Sequence, residues 1–135
     1  MGTYLDIQDK IMTKLQGLSG ISVIYEEPTK ELVSFPAILF TGFTSEDRNL
    51  DSRSNLRTYT FPIVVYQTTK GLTSRQVEDV LINLVDTLNN AFLSDFTLSG
   101  SCLNCIVKNG TKWYDKESEM RGLFLELLVE TQVTF

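Results

Sequence analysis

Leu56–Phe92, LRTYTFPIVVYQTTKGLTSRQVEDVLINLVDTLNNAF, contains a change of period that decides the fold. In Arg57–Gln67 the residues alternate: Tyr59, Phe61, Ile63 and Val65 share one face, and Thr58, Thr60, Val64 and Tyr66 the other. Period two is the signature of a pleated strand. After Thr68-Thr69-Lys70-Gly71 the step becomes three and four. Val77, Val80, Leu81, Leu84, Leu88 and Phe92 then fall on one side of a helix. Thr73 and Gln76 have capping-box spacing, so the helix start is specified locally. An amphipathic helix fed by a strand needs further strands to lie on.

Working outward, Tyr4, Ile7, Ile11, Leu15 and Leu18 predict an amphipathic helix over 4–18, stopped by Gly17, Ser19 and Gly20 through a left-handed turn. Ile21–Tyr25 reads as a first strand closed by Glu26-Glu27-Pro28, followed by a polar connection over 29–34. Phe35-Pro36 opens a buried strand, Ala37–Phe43. The polar stretch 44–56, TSEDRNLDSRSNL, reads as the extended tip of a β-hairpin between two strong strands; connections this long are usually functional or disordered. Pro62 cannot donate to a ladder, which favours an edge position or a bulge. Beyond the helix, 93–100 is a loop, Ser101–Lys108 a short strand, Asn109-Gly110 a turn, and 113–118 a link. Met120–Phe135 is the longest strand. Leu123, Leu125, Leu127, Val129 and Val133 lie opposite Glu126, Glu130, Gln132 and Thr134, while Phe124 and Leu128 interrupt the polar face, so part of it is expected to be covered.

The order is α-β-β-β-α-β-β. It predicts an α+β fold: a largely antiparallel sheet with a long C-terminal strand, packed by an N-terminal helix and one central amphipathic helix. With 135 residues, one domain over 1–135 is expected. The apolar share of 42% and charged share of 21% are those of a globular protein. A net charge of −5 opposes binding driven by neutralising phosphates or by anionic membrane surfaces. No apolar run approaches the roughly 20 residues of a membrane span, and MGTYLDIQDK shows no secretion signal. A protein made in a cytoplasm and remaining soluble is expected.

Histidine is absent, which removes Ser-His-Asp and Cys-His arrangements and most zinc sites. Cys102-Leu-Asn-Cys105 is a CxxC, but Ile106-Val107 follow it, which places it inside a strand. Residues three apart in a strand point to opposite faces, so the two are read as small semi-buried residues rather than a redox pair. Asp47, Asn49 and Asp51 echo half a calcium loop, yet Ser52 stands where glycine is needed and Thr58 where the last carboxylate is needed. A solvated hairpin tip is the simpler reading, and it leaves the loop free to meet a partner. Lys70–Ser74 lacks phosphate-loop spacing, and Thr73 as a cap explains it. Asp115, Glu117 and Glu119 beside Trp113 and Tyr114 read as a solvated turn that is interfacial through its aromatics. Candidate partner or subunit contacts are therefore Glu46, Asp47, Arg48, Asp51, Arg53, Arg57, Trp113 and Tyr114. No cofactor, metal or catalytic site is expected.

The sequence of elements resembles a known family. An N-terminal helix leads to Phe35-Pro36 and a polar loop; Arg57-Thr-Tyr59 through Val65-Tyr66-Gln67 follows, then Val77-x-x-Val80-Leu81-x-x-Leu84-x-x-x-Leu88, then a long last strand. Over nearly the whole chain this pattern resembles the tail terminator and tail-completion proteins of long-tailed bacteriophages, together with related neck proteins. The resemblance implies a virion structural protein without catalytic residues. It would form a ring, commonly a hexamer, that caps the head-proximal end of the tail tube and ends tube growth. Implied partners are other copies of the chain, the tail tube protein, the head connector or neck protein, and a sheath protein if the tail is contractile. DNA would be passing cargo in the lumen. The alternatives are a neck or head-completion connector, and a soluble monomeric binding module using the 44–56 hairpin.

Overall fold

The computed structural model describes residues 3–26, 34–116 and 119–134, with the side chain of Asn109 outside that set. Each helix begins at a threonine whose side chain replaces a missing backbone partner. In α1, Tyr4–Gln16, the Asp6 N–H donates to Thr3 Oγ1 at 3.3 Å and the Thr3 N–H to Asp6 Oδ2 at 3.1 Å. In α2, Ser74–Ser94, Gln76 N–H donates to Thr73 Oγ1 at 3.2 Å and Thr73 N–H to Gln76 Oε1 at 2.9 Å, the reciprocal cap predicted from spacing. Helix α1 stops at Gly17 in right-handed backbone, and the left-handed residue is Gly20 instead.

Six described strands form one sheet: β1 (Val23–Tyr25), β2 (Ala37–Phe40), β3 (Thr44–Asn49), β4 (Ser54–Thr68), β5 (Asn104–Asp115) and β6 (Met120–Thr134). Their order is β1-β2-β4-β6-β5, with β3 paired to β4 beyond the end of β2. Only β1–β2 is parallel. Strands β4 and β6 pair along their full length, from Ser54 opposite Thr134 to Thr68 opposite Met120. Tyr59, Phe61, Ile63 and Val65 of β4 and Leu123, Leu125, Leu127 and Val129 of β6 are buried against Ile7, Ile11 and Leu15 of α1 and Val77, Leu81, Leu84, Leu88 and Phe92 of α2. The fold is α+β, as the two periods imply.

Five expectations change, that for Pro62 only in part. The polar stretch 44–56 is not a loop: Thr44–Asn49 is a strand, and the reversal occupies only 50–53, where the Leu50 and Asp51 N–H groups donate to the Ser54 carbonyl at 3.1 and 3.2 Å. All six β3 side chains are exposed, so pairing satisfies the backbone while no polar group is dehydrated. Pro62 is not on an edge, because β4 lies between β2–β3 and β6. It does lie at a bulge. Residues 41–43, three in number, face only Phe61 and Pro62 between the Phe40–Ile63 and Thr44–Thr60 pairs. The ladder is already interrupted there, so a missing N–H costs it least.

Asn109-Gly110 is not a turn either. Strand β5 runs through it with a register shift between Asn109 and Lys112. A Cβ on Gly110 would come within 2.0 Å of the Phe124 carbonyl oxygen, so the glycine permits close backbone approach within a bulge. Trp113, Tyr114 and Asp115 accordingly belong to β5 rather than to a link. The final strand equals β4 in length instead of exceeding it. The connection expected at 29–34, apart from Ser34, together with Glu27-Pro28, Glu117 and Phe135, lies outside the described residues.

Candidate functional site

Both helices pack on the face of the sheet formed by the odd residues of β4 and β6. The even residues form the other face, and no described helix covers it. Three apolar rows cross it. Leu39, Val64 and Phe124 stand side by side on β2, β4 and β6; Thr60, Leu128 and Ile106 do so on β4, β6 and β5; Tyr66, Gly122 and Trp113 make a third. A charged row, Pro62–Glu126–Lys108, separates the first two. Ile106 is 57% exposed and Trp113 37%, while Leu39, Val64, Tyr66, Phe124 and Leu128 are half-buried. Trp113 lies across Gly122: a Cβ there would meet its Cζ2 at 2.2 Å. Its ring meets Tyr66 edge-on at 5.8 Å and 86°. Burial raises the Tyr66 phenol above its ordinary pKa.

The sheet edges differ from this face in kind. Strand β3 presents only polar side chains, and β1 is three residues long. Strand β5 carries exposed Lys108 and is interrupted by its bulge. Charges, short strands and bulges are the devices that keep an edge from pairing with another chain. The edges are protected and the open face is not.

The hairpin of β3 and β4 forms an arm held by its own charges. Arg57 Nε and Nη2 donate to the two Asp47 carboxylate oxygens at 2.7 and 3.0 Å, and Asn55 Nδ2 adds a third bond at 3.2 Å. The Arg57 guanidinium holds the Asp47 carboxyl below its ordinary pKa. Asp51 accepts from the Arg53 N–H at 2.8 Å, which lowers its pKa as well and fixes the reversal. These carboxylates serve the arm itself. Among the described residues no group of three or more metal-ligating side chains converges. On the open-face side of the arm, Glu46, Arg48, Leu56, Thr58 and Glu130 line a shallow cleft of about 260 Å³. Glu78 of α2 ties the opposite end of the sheet, bonding Lys112 of β5 at 3.0 Å and also Arg121 of β6; Lys112 first, then Arg121, lower its pKa.

No model of a known protein family matches this chain, and no curated protein matches it significantly.

The residues singled out in the sequence are thus divided between two faces and two ends. Glu46, Arg48 and Trp113 have the parity of the open face; Asp47, Arg57 and Tyr114 have that of the helix-bearing face, where Tyr114 lies 5.8 Å from the Arg121 guanidinium. Asp51 and Arg53 sit in the reversal. Trp113 is level with Tyr66 and Glu46 with Thr58, so about 27 Å of strand separates them. Apart from Trp113, the open apolar rows were not among those residues. Their signal was the second apolar set in each strand, Val64 and Tyr66 in β4 and Phe124 and Leu128 in β6.

The cysteines also depart from expectation. Cys102 precedes β5 in the turn that follows α2, and only Cys105 lies in the strand. The two therefore do not alternate across a pleat. Their side chains are hydrogen-bonded to each other, both are buried, and both are free thiols. No described helix is long and apolar enough to cross a membrane.

Proposed function

We propose that this chain is a structural subunit of a closed ring that caps the head-proximal end of a long-tailed bacteriophage tail tube. The observation that carries the reading is the apolar sheet face left open between protected edges. Four strands about 4.8 Å apart and about nine residues deep at about 3.4 Å give roughly 600 Å² before side-chain relief. That is close to the roughly 800 Å² per partner of a stable protein contact. A face of this kind on a small protein marks an association surface. Against a different patch on the next copy it gives a head-to-tail contact, which closes into a ring when the rotation per subunit allows.

The order of elements supplies the kind of ring, a tail terminator, and with it the partners: copies of itself, the tube protein, the head connector and, in a contractile tail, the sheath. The role is architectural and located in the virion, with DNA passing through the lumen. Light scattering at several concentrations, negative-stain images and binding to purified tail tubes test it. Closed rings, or rings forming only on tube ends, are expected. A stable monomer that leaves tube ends unbound overturns the reading. Binding to isolated connectors but not tubes would move it to a neck protein. One observation favours a second reading, a monomeric recognition module: the six exposed side chains of the β3 arm. Removing 45–54 would then abolish partner binding in a protein that never assembles.

A further inference from the structure

We infer that Cys102 and Cys105 form a modification site, a dithiol that a peroxide closes into an intrachain disulfide. The turn after α2 brings them together. Cys102 Sγ donates to the Phe96 carbonyl at 3.6 Å and Cys105 Sγ to the Phe92 carbonyl at 3.8 Å. Phe92 lies in the last turn of α2 and Phe96 one turn further along the chain, so both thiols occupy the end of one helix, in contact with each other. Strand β5 supplies Cys105 from the opposite side, and that residue also lines a surface cleft of about 250 Å³ with Phe92, Leu93, Ile106 and Val107. Cys102 is 2% exposed and Cys105 4%, which admits a small oxidant and excludes a bulky disulfide.

The two thiols are unequal. The single Cys105 proton has two acceptors, the Phe92 carbonyl and the Cys102 sulfur. Donation to Cys102 lowers that thiol and raises Cys105. Burial and the Asp95 carboxylate raise both, while the Asn104 N–H and the nearby Lys10 ammonium favour a Cys102 thiolate. The net direction is down for Cys102 and up for Cys105. Cys102 is therefore the attacking sulfur. Its thiolate forms an S–O bond with the peroxide as the O–O bond breaks, and the departing oxygen leaves as water after protonation. The Cys105 sulfur then attacks the Cys102 sulfenic acid: an S–S bond forms, the S–O bond breaks, and the Cys105 proton leaves with that oxygen as a second water. Two thiols are oxidised to one disulfide, and one hydrogen peroxide is reduced to two waters. A dithiol reductant reverses the closure.

The test treats the full-length folded chain with hydrogen peroxide, quenches with catalase, unfolds, alkylates and measures intact mass. Expected are the loss of both alkylation sites, a mass lower by two hydrogens, monomeric migration without reductant, and recovery of both thiols with dithiothreitol. In Cys105→Ser the sulfenic acid should persist at Cys102 and be captured by dimedone, while Cys102→Ser should give roughly tenfold less capture at Cys105. Two alkylatable thiols after treatment overturn the inference. So do oxygen adducts without loss of two hydrogens, or an interchain crosslink. The wild-type thiol count requires no variant, so the result stands even if a substitution prevents folding.

Discussion

The two faces of strand β4 differ by a shift of one residue and by almost everything else. Phe61, Ile63 and Val65 are at most 1% exposed beneath two helices. Pro62, Val64 and Tyr66 are half-buried, and no described helix lies over them. Apolar side chains alone therefore do not distinguish a core from an association surface; what lies above them does. One face holds the fold together, and over the other no described helix lies.

The sharpest way to break that comparison is to truncate one side chain on each face of β6. Leu125→Ala, on the helix side at 0% exposure, should cost about 2–5 kcal/mol in urea unfolding. Leu128→Ala, on the open side, should cost no more than about 1 kcal/mol. Equal losses would mean that something within the monomer covers the open face. Next in size is Gly110→Ala, expected to cost about 1–3 kcal/mol because the new methyl meets the Phe124 backbone rather than a movable side chain. An unchanged melting temperature would show that the bulge has slack.

Leu128→Glu should leave folding nearly intact and abolish rings, since a carboxylate would be trapped in the contact. Rings that persist would place the subunit contact elsewhere. The smallest effect concerns the arm. Asp47→Ala should raise amide exchange across Thr44–Asn49 while the helix-covered strands keep their protection. The same loosening should appear with pH. Asp47 and Asp51 have lowered pKa values in the folded chain, so their contribution is complete above the ordinary carboxylate range and is lost as pH falls through the folded values. Protection of the arm at neutral pH that fades only once pH falls below the ordinary carboxylate range is expected. Fading near neutral pH would implicate other groups.

Much of this was legible in sequence because period and capping are local. The strand-to-helix switch at Lys70-Gly71, the Thr73 cap and the buried sets of β4 and β6 need only their neighbours. What escaped depends on distant partners. Thr44–Asn49 lacks an apolar face and becomes a strand because β4 lies beside it. Gly110 resembles a turn residue until the Phe124 carbonyl is placed against it. Cys102 and Cys105 appeared to be separated by a pleat until the strand was seen to begin at Asn104. The candidate contacts were found by polarity and aromaticity, which identifies exposed residues but not the face they share. The open face needed the other question: which half of an apolar strand has no helix above it.

The position of Trp113 supplies an unplanned reporter. It is the only tryptophan in 135 residues, and its indole lies on the uncovered side of the sheet, across Gly122 and against Tyr66. Its ultraviolet emission colour follows the water around that ring. Whatever comes to rest on this surface, a second copy or a foreign protein, should shift the emission of the unlabelled chain toward the blue.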